Sequence, residues 1–202
     1  MRYVRSKWVF LVLGLVFVVP AVVILSLRKP ELSEARLAEL AKVEIPGFKR
    51  IRGRSNESSV VLSYESEKPN SHGVKLIASV TIEHCWKCRP MDVDAWRASD
   101  DMKGLLAEVK MNHPDPALVF DIHSIDLGRY RGVGLYTEGF YEGFGFTRYN
   151  AWWNNDVNEI GIGVMPELRF HPKSREEMRD SMPRNEMDAA VKAIYAAFGG
   201  DF

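Results

Sequence analysis

The chain has 202 residues, with 27 basic and 27 acidic side chains and the hydrophobic content of a globular protein. This length suits one domain with an appendage. The balanced charge argues against a protein dominated by phosphate contacts, which carries a basic excess, so we expect no nucleic-acid partner. No repeat of about 20–50 residues is present, which excludes solenoid and propeller arrays.

Residues 8–27 form an apolar run without a single charged side chain. At about 1.5 Å per residue the run spans about 30 Å, the thickness of a hydrocarbon core. It is too long for the apolar region of a cleaved signal peptide, and Ser26-Leu27-Arg28 is a poor cleavage site. A buried helix of a soluble protein would need a larger core than the rest of the chain provides. The sequence therefore predicts a signal-anchor, one transmembrane helix within residues 1–29, with the lipid bilayer as its partner.

The orientation of this anchor follows from weaker observations. Three cations precede the span and four follow it within short range, so the count does not favour an inside N-terminus. Long domains, however, translocate largely regardless of charge. On the usual behaviour of a lone N-terminal anchor, we expect a single-pass membrane protein with residues 28–202 outside the cytoplasm.

The segment after the anchor, residues 30–46, is predicted to be a juxtamembrane helix and linker, ended by Pro46-Gly47. Alternating apolar and polar residues then indicate strands. The three predicted strands are Phe48–Arg54, Ser58–Ser66 and Gly73–Glu83.

The period changes after the two cysteines. Apolar residues at i, i+3, i+4 and i+7 predict a helix over Ser99–Met111, with Ser99 as its N-cap. A strand over Leu118–Leu127 follows, and residues 131–165 have the pattern of a three-stranded antiparallel meander. The C-terminal segment is helical, with a capping-box sequence at residues 174–177 and an apolar stripe from Met187 to Phe198.

These elements predict an α+β fold: an N-terminal single transmembrane helix, followed by an antiparallel sheet with flanking helices in a globular domain over residues 47–202. A short opening strand after a Pro-Gly turn, Ile45-Pro46-Gly47-Phe48, leads into this order of elements. In that order, over about residues 44–198, the chain resembles the PsbP/Mog1-like domains. The resemblance implies an accessory or binding module without catalysis, and it transfers no functional residue.

Cys85 and Cys88 are the only cysteines of the chain and stand as CWKC. The order strand, CWKC, helix mimics a thioredoxin site, in which a helix N-terminus lowers the pKa of the first thiol. The meander that follows, however, does not fit the βαβ crossover of a thioredoxin core. A zinc site needs four ligands, and no second Cys/His pair at ligand spacing is present, so no metal and no cofactor are predicted.

The remaining interpretation of the cysteines is a local disulfide between Cys85 and Cys88, or two thiols without a chemical role. Closing so short a loop contributes about 2 kcal/mol before any strain is subtracted. In an extracytoplasmic domain we expect the disulfide, and in a cytoplasmic one reduced thiols.

Two surfaces are candidates for binding. The basic patch Lys49, Arg50, Arg52 and Arg54 suits anionic headgroups or an acidic partner, although charges also protect an edge strand from aggregation. The meander is rich in aromatics, and a terminal helix covers only one face of a sheet. The aromatic side chains that we expect at a binding surface are Tyr136, Tyr141, Tyr149 and Trp152. Ordinary core packing is the competing interpretation.

No catalytic constellation emerges from the sequence. Asp121 and His123 share one face of a strand, but no nucleophile lies near them in sequence, so His123 is expected to be a core or surface histidine. The sequence therefore predicts a membrane-anchored, non-catalytic module that binds a protein or an envelope ligand. The alternative is a membrane-tethered thiol-disulfide oxidoreductase that uses Cys85 and Cys88. A third possibility is an inward-facing domain that binds anionic lipid through the basic patch.

Overall fold

A computed structural model of the chain describes residues 39–40, 42–55, 59–85, 88–128, 131–154 and 158–198. The strands are β1 Phe48–Ser55, β2 Ser59–Ser66, β3 Leu76–His84, β4 Val119–Asp126, β5 Arg131–Tyr141, β6 Phe144–Asn154 and β7 Asn158–Pro166. The helices are α1 Val93–Ala98, α2 Asp100–Asn112, α3 Arg175–Ser181 and α4 Arg184–Phe198.

The seven strands form one sheet in the order β1-β2-β3-β7-β6-β5-β4. Every neighbouring pair is antiparallel. Chain neighbours pair within β1–β3 and within β4–β7. The pairing of β3 with β7 joins these two groups, so residues from distant parts of the chain lie side by side at the centre of the sheet.

One face of the sheet, which we call the closed face, carries the main core. Alternate residues of β2, β3 and β7 point to this face and are buried, for example Leu62, Val80 and Ile162. The apolar stripe of α4, which includes Val191 and Ile194, packs against them. The strands contribute every second side chain to this core, and the helix contributes an apolar stripe with a period of 3.6 residues. The apolar side chains of both patterns are thus buried in a single core.

The opposite face, which we call the open face, is covered only in part. Trp96 of α1 and Met102 of α2 pack over Ile122, Val133 and Leu135, which lie on β4 and β5. On β2 and β3 no side chain of this face is buried. Within the described part of the chain, no helix packs over the half of the open face that extends from β1 to β7.

Several sequence predictions of individual elements are confirmed. The strands predicted at residues 48–54, 58–66 and 73–83 correspond to β1, β2 and β3, and the meander to β5, β6 and β7. Ser99 caps α2, because its side chain accepts a hydrogen bond from the backbone N–H of Met102. Ser174 caps α3 in the same way. Pro183, which has no N–H to donate, separates α3 from α4.

The predicted fold class was wrong as a whole. It combined a transmembrane helix with an α+β domain, whereas the structure describes a strand-dominated antiparallel sheet with short helices. None of the helices in the described ranges is long and apolar enough to cross a membrane. The longest of them, α4, has 15 residues and spans about 22 Å, less than a hydrocarbon core of about 30 Å. The predicted span at residues 8–27 lies outside the described residues.

The predicted juxtamembrane segment is described only at its end. Leu40 and Ile45 are buried in the main core, and the carbonyl oxygen of Val43 accepts a hydrogen bond from the Tyr64 hydroxyl at 3.2 Å. The end of the segment thus packs on the domain whose start was predicted at residue 47. Its earlier residues lie outside the described part.

Candidate functional site

The uncovered half of the open face contains a groove across β3, β7 and β6. Two rows of cross-strand neighbours form its centre; from β3 to β6 they are Ser79, Gly163 and Asn150 in one row and Thr81, Gly161 and Trp152 in the next. The groove has a volume of about 210 Å³. Side chains from β3 and β6 form its walls, and β7 forms its floor.

Two glycines make this floor low. A Cβ atom on Gly163 would lie 2.9 Å from Ser79 Oγ, 3.1 Å from Asn150 Oδ1 and 3.3 Å from an Arg148 guanidinium nitrogen. A Cβ atom on Gly161 would lie 3.2 Å from Trp152 Nε1. Four polar groups therefore converge above two backbone positions that carry no side chain, and a glycine inside a strand is typical of such a close approach.

Arg148 provides a positive charge at one end of the groove. No carboxylate in the described part of the chain pairs with its guanidinium. By contrast, Arg89 and Arg184 pair with carboxylates at 2.6 Å. Although the Arg148 residue is solvent-exposed, neighbouring protein atoms displace water from it and lower its pKa. A guanidinium without a carboxylate partner is suited to bind an anionic group.

Glu83 and Glu159 provide negative charge at the other end, where they are direct cross-strand neighbours on β3 and β7. Burial raises the pKa of Glu159; the positive charge of Arg89 opposes this shift, and the charge of Glu83 adds to it. Arg89, which is itself paired with Asp101, offsets only part of the charge of these two carboxylates. Two carboxylates near one partly neutralised arginine leave the end of the groove acidic.

A second polar cluster lies between the closed face and α4. His123 Nε2 is 2.7 Å from the Tyr149 hydroxyl oxygen, and this hydroxyl donates to Asp188 Oδ1 at 3.2 Å. Arg184 contacts Asp121 at 2.6 Å. The cluster thus includes the pair Asp121 and His123 that the sequence placed on one face of a strand.

The chemistry of Tyr149 argues against catalysis in this cluster. Burial raises the pKa of Tyr149 above its ordinary value, and the charge of Asp188 raises it further. A hydroxyl that stays protonated is a poor nucleophile and a poor base at neutral pH. The cluster therefore ties β4 and β6 to α4 by hydrogen bonds.

A third cluster is centred on the buried carboxylate of Glu138. Arg175 and Arg179 contact its Oε1 at 3.0 and 2.8 Å, and the Tyr136 hydroxyl donates to its Oε2 at 3.0 Å. Burial alone would raise the pKa of Glu138, but the hydrogen bonds from Arg179, Tyr136 and Arg175 outweigh it and lower the pKa. A carboxylate that is fully satisfied by internal donors holds α3 on the sheet and has no free lone pair for a ligand.

The two cysteines lie between β3 and α1 at disulfide-bonding distance, with Cα atoms 5.0 Å apart. A short disulfide is therefore present at the acidic end of the groove. Its position differs from a thioredoxin site, because α1 begins only at Val93 with Asp92 as its N-cap. Cys85 thus lies outside the helix N-terminus that would lower the pKa of a thiol.

The basic patch lies on β1, at the edge of the sheet. Lys49, Arg52 and Arg54 point to the open face, opposite Glu65, Ser63 and Val61 of β2. Arg50 points to the closed face because the register shifts between Arg50 and Arg52. All four side chains are exposed, so three of them extend the open face beyond the groove.

The four predicted aromatic residues separate into three environments. Tyr136 and Tyr149 are 5% and 1% exposed and belong to the main core, so they present no surface to a partner. Tyr141 is exposed beside the turn between β5 and β6. Trp152 packs on Trp96, with ring centroids 4.9 Å apart, and lines the groove.

Sequence reasoning missed the groove, apart from Trp152. Its residues come from β3 and from the distant strands β6 and β7, and in the sequence each of them has the pattern of an ordinary strand residue. The sequence Gly161-Ile162-Gly163 could have indicated the groove. Two glycines at alternate positions of one strand leave two successive positions on the same face without a side chain. Among the described residues, no group of three or more His, Cys, Asp and Glu side chains is placed to hold a metal ion.

Comparison of the chain with protein-family models, curated proteins and solved structures found no match. The resemblance to PsbP/Mog1-like domains therefore stays a prediction from the order of elements.

Proposed function

We propose that the domain is a non-catalytic binding module and that the groove on the open face is its ligand-binding site. The observation that carries this proposal is the convergence of four polar groups over Gly161 and Gly163, one of which is the Arg148 guanidinium without a carboxylate partner among the described residues. Polar groups that converge at one place on a rigid sheet are typical of a binding site.

The surroundings of the groove also favour binding over chemistry. It combines one cation, two carboxylates, hydroxyls and an amide, but it contains no pair of nucleophile and base in hydrogen-bond contact. The open face continues from the groove to the cations of β1. A protein or envelope partner has room to contact this face while a small polar group of that partner occupies the groove.

Membrane attachment through residues 8–27 and an extracytoplasmic position of the domain stay predictions from the sequence. Together these predictions would place the binding module at the outer surface of the membrane. An impermeant maleimide applied to intact cells, before and after reduction, tests them through Cys85 and Cys88. Tagging that requires reductant but not lysis supports the outside position, and tagging only after lysis contradicts it.

The binding proposal is tested with the full-length chain and a set of small compounds: amino acids and dipeptides, hexoses, nucleotides and inorganic anions. We expect one of these classes to raise the unfolding temperature, because a ligand that binds only the folded state stabilises it. The effect should disappear in Ser79→Trp, which fills the groove from β3. The matched control is Lys192→Trp on the exposed side of α4.

Two results would contradict the proposal. One is stabilisation by a compound that persists in Ser79→Trp, which would place its site elsewhere. The other is turnover of any of these compounds that a single substitution abolishes, which would make the protein an enzyme. Circular dichroism of both tryptophan variants establishes that they are folded before binding is compared.

A further inference from the structure

The two ends of the groove carry opposite charge, and this asymmetry identifies a class of ligand. The Arg148 guanidinium lies over Gly163, whereas Glu83 and Glu159 lie at the opposite end, beyond Gly161. Gly163 and Glu159 are four residues apart on β7, which corresponds to about 13 Å along a strand. A ligand that fits this arrangement carries a negative group at one end and a positive group at the other.

The separation of the charged ends sets the length of the ligand. A hydrogen bond of about 3 Å at each end leaves about 7 Å between the charged groups of the ligand. In a free α-amino acid the two charges lie on neighbouring atoms of one residue. Two extended residues span about 7 Å, so a dipeptide places its ammonium and carboxylate groups at the distance that the groove requires.

The centre of the groove matches the middle of such a ligand. A peptide bond presents one N–H donor and one C=O acceptor. The groups that converge over the glycine floor include both kinds: Asn150 Oδ1 accepts, Trp152 Nε1 donates, and Ser79 Oγ, whose hydroxyl donates to the Gly163 carbonyl oxygen at 3.5 Å, accepts. A side chain at Gly161 or Gly163 would clash with these groups, so the two glycines give the polar groups the room to converge.

We propose that the groove binds a short zwitterionic peptide of about two residues, with its carboxylate on Arg148 and its ammonium between Glu83 and Glu159. This inference rests on the proposed binding function and adds the class of ligand to it. Arg89 borders the ammonium site, but its pairing with Asp101 leaves the acidic end with an excess of negative charge.

Isothermal titration of the full-length chain with alanyl-alanine tests the proposal. Three probes isolate the features of the ligand: N-acetyl-alanyl-alanine lacks the ammonium, alanyl-alanine amide lacks the carboxylate, and alanine lacks the length. We expect each of them to bind at least about tenfold more weakly than alanyl-alanine.

Variants of the two ends assign the orientation. In Arg148→Gln the preference for alanyl-alanine over its amide should disappear, and in Glu159→Gln the preference over the N-acetyl form should fall. Arg131→Gln and Glu108→Gln remove exposed charges outside the groove and should leave both preferences unchanged. The comparison uses ratios between probes, so a variant with lower stability still gives a readout.

The outcomes separate the ligand class from the binding function. If alanyl-alanine does not bind at millimolar concentration, or binds no better than its amide, the zwitterion inference is overturned. If a hexose or an inorganic anion binds instead and Ser79→Trp blocks it, the groove remains a binding site and only the ligand class is wrong. If Ser79→Trp changes the binding of no compound, the proposed function fails as well.

Discussion

Glu138 is a buried carboxylate whose negative charge is balanced by neighbouring side chains. Its side chain is 2% exposed, and Arg175, Arg179 and Tyr136 satisfy its oxygens. Burying a carboxylate is costly unless charged donors surround it. The pairing therefore makes Glu138 a structural residue, in contrast to the unpaired Arg148 of the groove.

Replacing Glu138 with glutamine should be destabilising, because it removes the buried charge that Arg175 and Arg179 share and leaves Arg175 paired with Asp115 alone among the described residues. Removal of one member of a buried ion pair costs about 3–5 kcal/mol. We expect about 3 kcal/mol, since Arg179 is partly exposed and can be hydrated. Urea unfolding measures the change, and Glu108→Gln on the exposed side of α2 is the control. Equal stability of the two variants would contradict the account.

The same carboxylate should make the fold sensitive to acid. Hydrogen bonds lower the pKa values of Glu138 and Asp115 in the folded state below their ordinary values, in spite of burial. Their contribution is thus present above about pH 4 and is lost as the pH falls through the lowered pKa values. Stability should decrease below about pH 4 in the native chain and decrease less steeply in Glu138→Gln.

Glu159 should behave in the opposite way. Burial raises its pKa, so its ionised form disfavours the folded state at neutral pH, and this penalty disappears as the pH falls below the ordinary value of about 4.3. Glu159→Gln is therefore expected to raise the urea midpoint at neutral pH and to match the native chain in acid. A lower urea midpoint of Glu159→Gln at neutral pH would mean that the ionised Glu159 stabilises the fold. Glu159 would then be a structural residue and not one that is kept for a ligand at the expense of stability.

At the scale of elements, β5 depends on close backbone approach to β6. A Cβ atom on Gly132 would lie 2.6 Å from the carbonyl oxygen of Trp152, and a backbone atom cannot move aside cheaply. Gly132→Ala should lower the free energy of unfolding by about 1–3 kcal/mol. Gly104 in α2 has open space around it, so Gly104→Ala should stabilise the protein by about 0.5–1 kcal/mol. The same sign for both substitutions would contradict this explanation.

The connection from β3 to α1 contains the disulfide of Cys85 and Cys88. Because the closed loop is short, the double variant Cys85→Ser/Cys88→Ser should lose about 2 kcal/mol or less. We also expect no reduction of insulin by the native chain, since Cys85 lies outside the N-terminus of α1. The reduced native chain is the control for stability. Insulin reduction that is lost in the double variant would restore the oxidoreductase alternative.

At the scale of the whole molecule, local patterns predicted the elements but not their assembly. The alternation in residues 74–82 indicated a strand and its buried side, because side-chain direction has a period of two. No local sequence pattern indicated that β7 lies between β3 and β6. That pairing depends on which strands bring their apolar faces together in one core, and these strands are distant in the chain. The predicted fold class was wrong partly because it included a transmembrane helix at the apolar residues 8–27, which lie outside the described residues.

The same limit explains the outcome for the candidate site. The sequence showed that Tyr136 and Tyr149 belong to an aromatic meander, but the structure was needed to show that the face they share is closed. Trp152 lies on the other face and lines the groove, and its role in binding stays a prediction. The groove itself depends on Ser79, Asn150 and Gly163, which become neighbours only when β3, β7 and β6 are paired.

A binding groove on the open face requires that this face is accessible in the intact protein, and cysteine labelling measures that accessibility. Thr81→Cys places a thiol at the groove, and Lys192→Cys places one on an exposed turn of α4. The disulfide keeps Cys85 and Cys88 silent towards maleimide in the native chain. We expect the two introduced thiols to react at comparable rates in the folded full-length chain. If Thr81→Cys reacts only after denaturation while Lys192→Cys reacts at once, the face is covered and the binding groove is contradicted.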